Sequence, residues 1–188
     1  MKIKKWHIMK VMLFHGWGGS DYPHWQSYIA SEIAKGYGCV NFVRFLDADT
    51  PVFDSWIKKA VEELEDFQPD VVICHSLANT LWFHLCNKAL IKREIESLFL
   101  VAPPSMQCNI EELKTFFPVE IPKKLYAKYV KMIVSDNDPY ISMQEVKELE
   151  KSLHVNTKIL HNAGHINTES GFGEWKELLE EIRKCQNL

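Results

Sequence analysis

Short apolar runs alternate along the chain with longer stretches in which apolar residues recur at helical spacing. The runs at 70–74, 98–102 and 132–134 have almost no polar alternation, which is typical of strands covered on both faces of a parallel sheet. The predicted strands are Val11–Phe14, Val40–Phe45, Asp70–Cys74, Leu98–Ala102, Met132–Val134 and Val155–Leu160. The predicted helices are Trp25–Lys35, one that starts at Thr50-Pro51, Leu77–Leu90, one opened by a capping box at Ser142, and Glu174–Lys184.

Repetition of a strand followed by a helix predicts an α/β fold. We expect one mostly parallel sheet of about six strands with helices on both faces, forming three layers in a single domain over residues 1–188. The least regular segment, Ser105–Tyr129, leaves no room for a large cap, and the pattern does not decide whether it forms a small lid. Ligand sites in such sheets lie beyond the carboxyl ends of the strands.

The first strand end that carries reactive side chains lies between a buried strand and a helix. Its sequence is Cys74-His75-Ser76-Leu77-Ala78. A serine hydroxyl becomes a nucleophile when its oxygen is exposed beside a base. A sharp turn from strand to helix exposes it and needs small residues two positions before and after the serine, as in G-x-S-x-G. Cys74 and Ala78 replace the two glycines and are still small, so this segment predicts a nucleophile elbow at Ser76.

Two later strand ends supply the partners that such a serine needs. One carries Asp136 and Asp138, and the other carries His165, with His161 four residues earlier. The chain order Ser76, Asp138, His165 is the order of the α/β-hydrolase triad. Asp136 competes with Asp138 for the role of acid, and His161 competes with His165 for that of base.

A glycine-rich loop at residues 15–19 follows the first predicted strand. Acyl transfer needs two N–H donors aimed at the developing oxyanion. The amide of Leu77, just after the serine, is one candidate, and the amide of Trp17 is the other because glycines on both sides let the backbone turn. No metal or organic cofactor is needed for this chemistry.

These motifs resemble the small single-domain serine hydrolases that include retinoblastoma-binding protein 9 and its bacterial relatives. The resemblance runs over nearly the whole chain. It rests on HGWGGS at 15–20 followed by Trp25, CHSLA at 74–78, VAPPS at 101–105, SDNDPY at 135–140, and GHIN with a later SGFGEW at 164–175. It implies a compact α/β-hydrolase fold and a triad of Ser76, Asp138 and His165, with Asp136 left to stabilise a turn. The family acts on small ester or amide substrates.

Each of these residues also has a structural interpretation. A serine after a strand is often a helix N-cap, and Cys74 is a thiol beside a histidine but also a small strand residue. The remaining candidates form a possible substrate pocket and are His15, Gly16, Trp25 and His75. The two histidines and the tryptophan are also compatible with a purely structural role.

Composition argues against several classes of protein and indicates the cellular compartment. The 188 residues carry 22 basic and 25 acidic side chains, so no basic surplus exists to neutralise phosphates, and a nucleic-acid binder is not expected. Five cysteines without a close pair indicate neither a disulfide framework nor a zinc site. His7 and Lys10 break the apolar start into pieces shorter than the ~7–15 residues of a signal peptide, and no run reaches the ~20 residues of a membrane span. We expect a cytoplasmic protein that does not bind membranes.

The sequence therefore predicts a serine hydrolase whose partner is a small ester or amide. A second hypothesis is a protein-interaction module on a hydrolase scaffold with a vestigial triad, since fold does not dictate function. No sequence feature supports a protein partner, and no triad residue is missing.

Overall fold

The computed structural model describes residues 9–185, so the prediction about the amino-terminal segment falls largely outside the described residues. The strands are Lys10–Phe14 (β1), Cys39–Val43 (β2), Val71–His75 (β3), Ile95–Val101 (β4), Ala127–Ser135 (β5) and Asn156–Leu160 (β6). The α-helices are Trp25–Lys35 (α1), Phe53–Phe67 (α2), Leu77–Asn87 (α3), Met143–Leu153 (α4) and Lys176–Lys184 (α5). A 3₁₀ helix covers Glu111–Phe116.

The six strands form one sheet in the order β2-β1-β3-β4-β5-β6, and every neighbouring pair is parallel. This confirms the predicted α/β sheet. All five residues of β3 are buried, because the strand lies between β1 and β4 and is covered on both faces. The carboxyl ends of all six strands therefore lie at one edge of the sheet.

Successive strand residues point to opposite faces, and this alternation separates two hydrophobic cores. Met12 and Phe14 of β1 pack with α2, α3 and α4 on one face. Val11 and Leu13 pack with α1 and α5 on the other. The molecule therefore has the predicted three layers. Both cores pack against the strands whose ends carry the candidate site.

Several element boundaries differ from the sequence prediction, and three of these differences have a cause in the hydrogen bonding of the fold. β2 stops at Val43 because the chain then turns so that the Phe45 N–H donates to the His15 side chain at 3.0 Å. α2 begins at Phe53 with Val52 as its N-cap, since Thr50 is held in a turn by its N–H bond to the Asp47 carbonyl. β5 begins at residue 127, well before the apolar run, because it pairs with β4 from Ile95, the first residue of that strand, onward.

The segment between β4 and β5 is anchored to the body of the protein. Leu113 and Phe116 of the 3₁₀ helix are buried in the same core as α2 and α3, and the Phe116 ring contacts those of Phe53 and Trp56. Phe116 is therefore a core residue. The same segment also sends residues toward the carboxyl edge of the sheet, where they form one wall of a cavity.

Candidate active site

Ser76 stands at the sharp turn between β3 and α3. Its backbone has φ 53° and ψ −124°, a left-handed conformation that an L-residue adopts at a cost of ~1–3 kcal/mol. The side chains of Cys74 and Ala78 are fully buried on either side of it, so small residues do fill the positions usually held by glycine. Ser76 occupies the N-cap position of α3, but its side chain makes no capping hydrogen bond. Its hydroxyl is left for another partner.

Two neighbours hold this turn in place. The Asn79 side-chain amide donates to the carbonyls of Ser76 and Val101, both at 2.8 Å, and the Ser76 N–H donates to the same Val101 carbonyl at 3.0 Å. From the other side, Gly16 approaches so closely that a Cβ added there would lie 2.7 Å from the Ser76 Cβ. The elbow is thus clamped between β4 and the loop after β1.

The Ser76 hydroxyl, the His165 ring and the Asp138 carboxylate form a continuous hydrogen-bonded series. His165 Nε2 lies 2.8 Å from Ser76 Oγ, and His165 Nδ1 lies 3.0 and 2.9 Å from the two Asp138 oxygens. Because a carboxylate only accepts, Nδ1 carries the proton and Nε2 presents its lone pair to the serine. The Asp138 side chain is fully buried, and it also accepts the Tyr140 N–H at 2.9 Å.

The last residue of β5 and the loop after it accept hydrogen bonds from four consecutive residues of the loop after β6. Ser135 Oγ accepts the Ala163 N–H at 2.9 Å, Asp136 Oδ1 accepts that of Asn162 at 2.8 Å, and Asn137 Oδ1 accepts that of Gly164 at 2.7 Å. Asp138 then accepts the ring N–H of His165. We call this set of acceptors, residues 135–138, the oxygen ladder. It ties the position of the histidine to the position of the acid.

The two predicted oxyanion donors border the same cavity as the serine hydroxyl. Leu77 directly follows Ser76, and Trp17 follows Gly16, which packs against Ser76. Within residues 9–185, neither the Trp17 nor the Leu77 backbone N–H donates to another residue. The Trp17 indole is fixed by its own N–H bond to the Asp49 carbonyl at 2.8 Å.

Behind His165 lie two further buried imidazoles, those of His24 and His75. The ring centroids of His75 and His165 are 5.3 Å apart, and those of His24 and His75 are 4.9 Å apart. Burial lowers the pKa of His24 to about 4 and that of His75 well below its ordinary value. Both rings are therefore neutral at pH 7 and place no positive charge beside His165.

The cavity over Ser76 measures about 400 Å³. Residues from the loops after β1, β4, β5 and β6 line it, together with the elbow itself. Its lining comprises Trp17, Gly18, Gly19, Ser20, Asp21, His24, His75, Ser76, Leu77, Pro104, Cys108, Ile110, Leu113, Tyr140, His165, Asn167, Thr168 and Glu169. Part of the irregular segment between β4 and β5 therefore walls the cavity.

Of the four predicted pocket residues, the structure places only His75 in this cavity. Trp25 is fully buried between α1 and the sheet, and its indole N–H donates to the Ile166 carbonyl at 2.8 Å. His15 borders a separate cavity near the end of β2, where Nδ1 donates to the Gly16 carbonyl at 2.8 Å. Gly16 packs against the elbow. Trp25 therefore supports the loop after β6, whereas His15 and Gly16 are part of the loop after β1, and both loops line the cavity.

The rival acid and base form a pair of their own. Asp136 and His161 are hydrogen-bonded to each other, and the His161 side chain is 83% exposed. Asp136 does not make the predicted turn contact, because its carboxylate reaches across to the β6 loop. Cys74 is fully buried, which raises the pKa of its thiol well above the ordinary value. Neither the exposed pair nor the thiol lies at the cavity.

Sequence inspection missed His24, Asn79 and Tyr140. The Tyr140 ring lies edge-on to His165 with centroids 4.5 Å apart. SDNDPY, the motif that identified Asp138, contains Tyr140 and so offered a signal for it. Asn79 lies three residues after the serine in a largely apolar helix, which was a weaker signal. Across residues 9–185, no group of three or more His, Cys, Asp and Glu side chains is placed to hold a metal ion.

Residues 11–184 match the sequence model of a family described as serine hydrolase. The chain belongs to the serine hydrolase family. The family predicted from the motifs is thereby confirmed, whereas the narrower likeness to retinoblastoma-binding protein 9 stays a prediction. No curated protein matches this hydrolase by sequence. No helix in the described part of the chain has the length and apolar character to cross a membrane.

Solved structures share the fold at low sequence identity. The ydeN gene product of B. subtilis is similar with a TM-score of 0.85 and 14% identity, over 96% of this chain and 100% of that one. A Pectobacterium atrosepticum protein described as YdeN-like gives 0.75 and 23%, over 95% and 91%. The Pyrococcus furiosus esterase Pf2001 gives 0.60 and 18%, over 96% and 80%. These likenesses confirm the α/β-hydrolase fold.

Proposed function

We propose that this hydrolase cleaves small carboxylic esters or amides through an acyl-enzyme intermediate on Ser76. The observation that carries the proposal is the 2.8 Å contact between Ser76 Oγ and His165 Nε2, with Asp138 hydrogen-bonded to the other ring nitrogen. A serine hydroxyl that lies in a strained turn, lines a cavity and is hydrogen-bonded to a histidine ring nitrogen has the arrangement required for nucleophilic attack.

In the acylation step, Ser76 Oγ attacks the substrate carbonyl carbon while its proton moves to His165 Nε2. The carbonyl oxygen becomes an oxyanion, which the Trp17 and Leu77 N–H groups stabilise, each worth ~10²–10³ in rate. Asp138 stabilises the imidazolium and holds the ring in its tautomer. His165 then gives the proton to the leaving oxygen or nitrogen, the bond from carbon to that atom breaks, and an alcohol or amine departs.

Deacylation repeats these steps with water. His165 Nε2 takes a proton from the water as its oxygen attacks the acyl carbon, and the same two N–H groups hold the second oxyanion. When the bond between the acyl carbon and Ser76 Oγ breaks, the proton returns from His165 to the serine oxygen. A carboxylic acid is released and the resting hydrogen-bonded series is restored.

A fluorophosphonate probe tests this proposal, because it reacts only with an activated serine. We expect the wild-type protein to be labelled and to hydrolyse a short aryl ester, and Ser76→Ala to lose the label and ~10⁴–10⁶ of its turnover while staying folded. Ser152→Ala, which changes an exposed serine of α4, is the matched control and should behave as wild type. Equal labelling of wild type and Ser76→Ala would refute the assignment of the nucleophile.

The same experiment addresses the alternative of an interaction module with a vestigial triad. A vestigial site predicts neither labelling nor ester hydrolysis in the wild-type protein. Turnover that depends on Ser76 rejects that alternative.

A further inference from the structure

The cavity over Ser76 has two chemically different walls. On one side, Cys108, Ile110 and Leu113 from the segment between β4 and β5 join Leu77 and Trp17. All five belong to, or pack against, the hydrophobic core on the α3 side of the sheet, so they form one continuous apolar surface. Pro104, which is buried, completes this apolar wall.

Another part of the rim is polar and acidic. It includes Asn167, Thr168 and Glu169, which lie two to four positions after His165 in the chain, and Ser20 and Asp21 in the loop after β1. No lysine or arginine lines the cavity within the described residues. A substrate that carries a carboxylate or phosphate near its scissile bond thus meets two carboxylates and no cationic side chain.

The chemistry of the proposed reaction assigns the two halves of the substrate to these walls. His165 must hand its proton to the leaving atom, so the leaving group lies on the histidine side, beside residues 167–169. The oxyanion points to the Trp17 and Leu77 amides. The acyl substituent takes the remaining direction at the tetrahedral carbon, toward the wall formed by Pro104, Cys108, Ile110 and Leu113.

We infer that the apolar wall is the acyl-binding subsite, so that the enzyme selects uncharged, apolar acyl chains joined to polar, non-anionic leaving groups. This inference rests on the proposed function and adds the substrate class. Each methylene buried against the wall contributes up to about 0.8 kcal/mol, which corresponds to roughly fourfold in kcat/KM.

A series of p-nitrophenyl esters measures the acyl preference, since the leaving group is constant. We expect kcat/KM to rise roughly tenfold from acetate to butanoate, as two methylenes are added. The succinate half-ester, which has a similar chain length but ends in a carboxylate, should react more slowly than butanoate by at least that factor. A flat series, or a succinate half-ester that equals butanoate, would overturn the inference.

Ile110→Asp tests the wall itself. Ile110 is the N-cap of the 3₁₀ helix, a position that favours aspartate, so the substitution is compatible with the fold. It should reduce the ratio of butanoate to acetate kcat/KM to about one or below. Ile159→Asp on β6, where the isoleucine is 55% exposed, is the matched control and should keep the wild-type ratio. An unchanged ratio in Ile110→Asp would contradict the assignment.

Two isomeric esters examine both walls at once. In 2-hydroxyethyl butanoate the apolar part is the acid and the polar part is the alcohol, whereas butyl hydroxyacetate reverses this arrangement. After division by the rate of alkaline hydrolysis of each ester, we expect the first to be preferred roughly tenfold. Equal rates or the opposite preference would place the acyl group elsewhere. Absence of any Ser76-dependent hydrolysis would instead reject the proposed function, so the two failures are distinguishable.

Discussion

Gly16 sets how closely the loop after β1 can approach the proposed nucleophile. A Cβ at this position would lie 2.7 Å from the Ser76 Cβ and 3.0 Å from the His75 carbonyl oxygen, both rigid neighbours. We therefore expect Gly16→Ala to push the elbow and the Trp17 amide apart. Misplacement by about 1 Å costs ~10²-fold in kcat, and overpacking costs about 1–3 kcal/mol of unfolding free energy. Ester kinetics and urea denaturation measure both quantities.

Gly36→Ala provides the control for this substitution. Gly36 ends α1 with an ordinary φ of −86°, and an added Cβ would come no closer than 3.5 Å to another atom. Its kcat should match that of the wild type. Full activity in Gly16→Ala would show that the loop does not need its present distance from Ser76.

At single residues, the motifs located the side chains that the structure brings into one hydrogen-bonded series. Ser76 could be predicted from the local spacing of the elbow, and His165 from the chain order of serine, aspartate and histidine. The role of Trp25 could not, since its indole N–H bonds to a carbonyl 141 positions away. The tautomer of His15 likewise depends on the Phe45 N–H, which reaches it only because β2 ends early.

At the scale of elements, the oxygen ladder couples the loops after β5 and β6. Asn137 Oδ1 accepts both the Gly164 N–H and the Ser135 hydroxyl at 2.7 Å. Asn137→Leu has a similar shape but no acceptor, so the histidine loop loses one of its supports. We expect kcat to fall about 10–100-fold with KM nearly unchanged, because the histidine moves relative to Ser76 while the apolar wall of the cavity stays.

Asn137→Asp keeps an oxygen in the same place and should restore most of the kcat that Asn137→Leu loses. If Asn137 had only a structural role, Asn137→Leu would lower the thermal stability but would not lower kcat while KM stayed unchanged. Equal kcat in wild type and Asn137→Leu would show that the rest of the ladder suffices to position His165.

Element types could be predicted from the sequence more securely than their ends. The run 132–134 located β5, but its start at residue 127 depends on pairing with β4, which is a tertiary property. Pro51 suggested a helix start, yet the turn at Asp47–Thr50 delays α2 until Phe53. The ladder could not be foreseen either, since it requires the two loops to meet.

Several histidine side chains are buried as neutral imidazoles, and their burial makes the free energy of unfolding depend on pH. Burial is the largest cause that lowers the pKa values of His15, His24, His75 and His84 in the folded state. Below pH ~6.5 the unfolded chain therefore binds more protons than the folded protein. The free energy of unfolding must then fall as the pH drops from about 6.5. The fall caused by His24 ends near pH 4, where His24 is protonated in the folded protein too.

His24→Asn isolates one of these groups. The His24 side chain caps α1 by accepting the Gln26 N–H at 3.1 Å, and asparagine also suits an N-cap. Since the folded pKa is about 4, removing this imidazole should make the loss of unfolding free energy between pH 7 and pH 4.5 smaller by roughly 2–3 kcal/mol. Urea titrations at the two pH values measure it. His154→Asn is the control, because it changes an exposed left-handed position that asparagine tolerates, and it should leave the loss of unfolding free energy unchanged. An equal loss in both variants would mean that the pKa of His24 is not lowered in the folded protein.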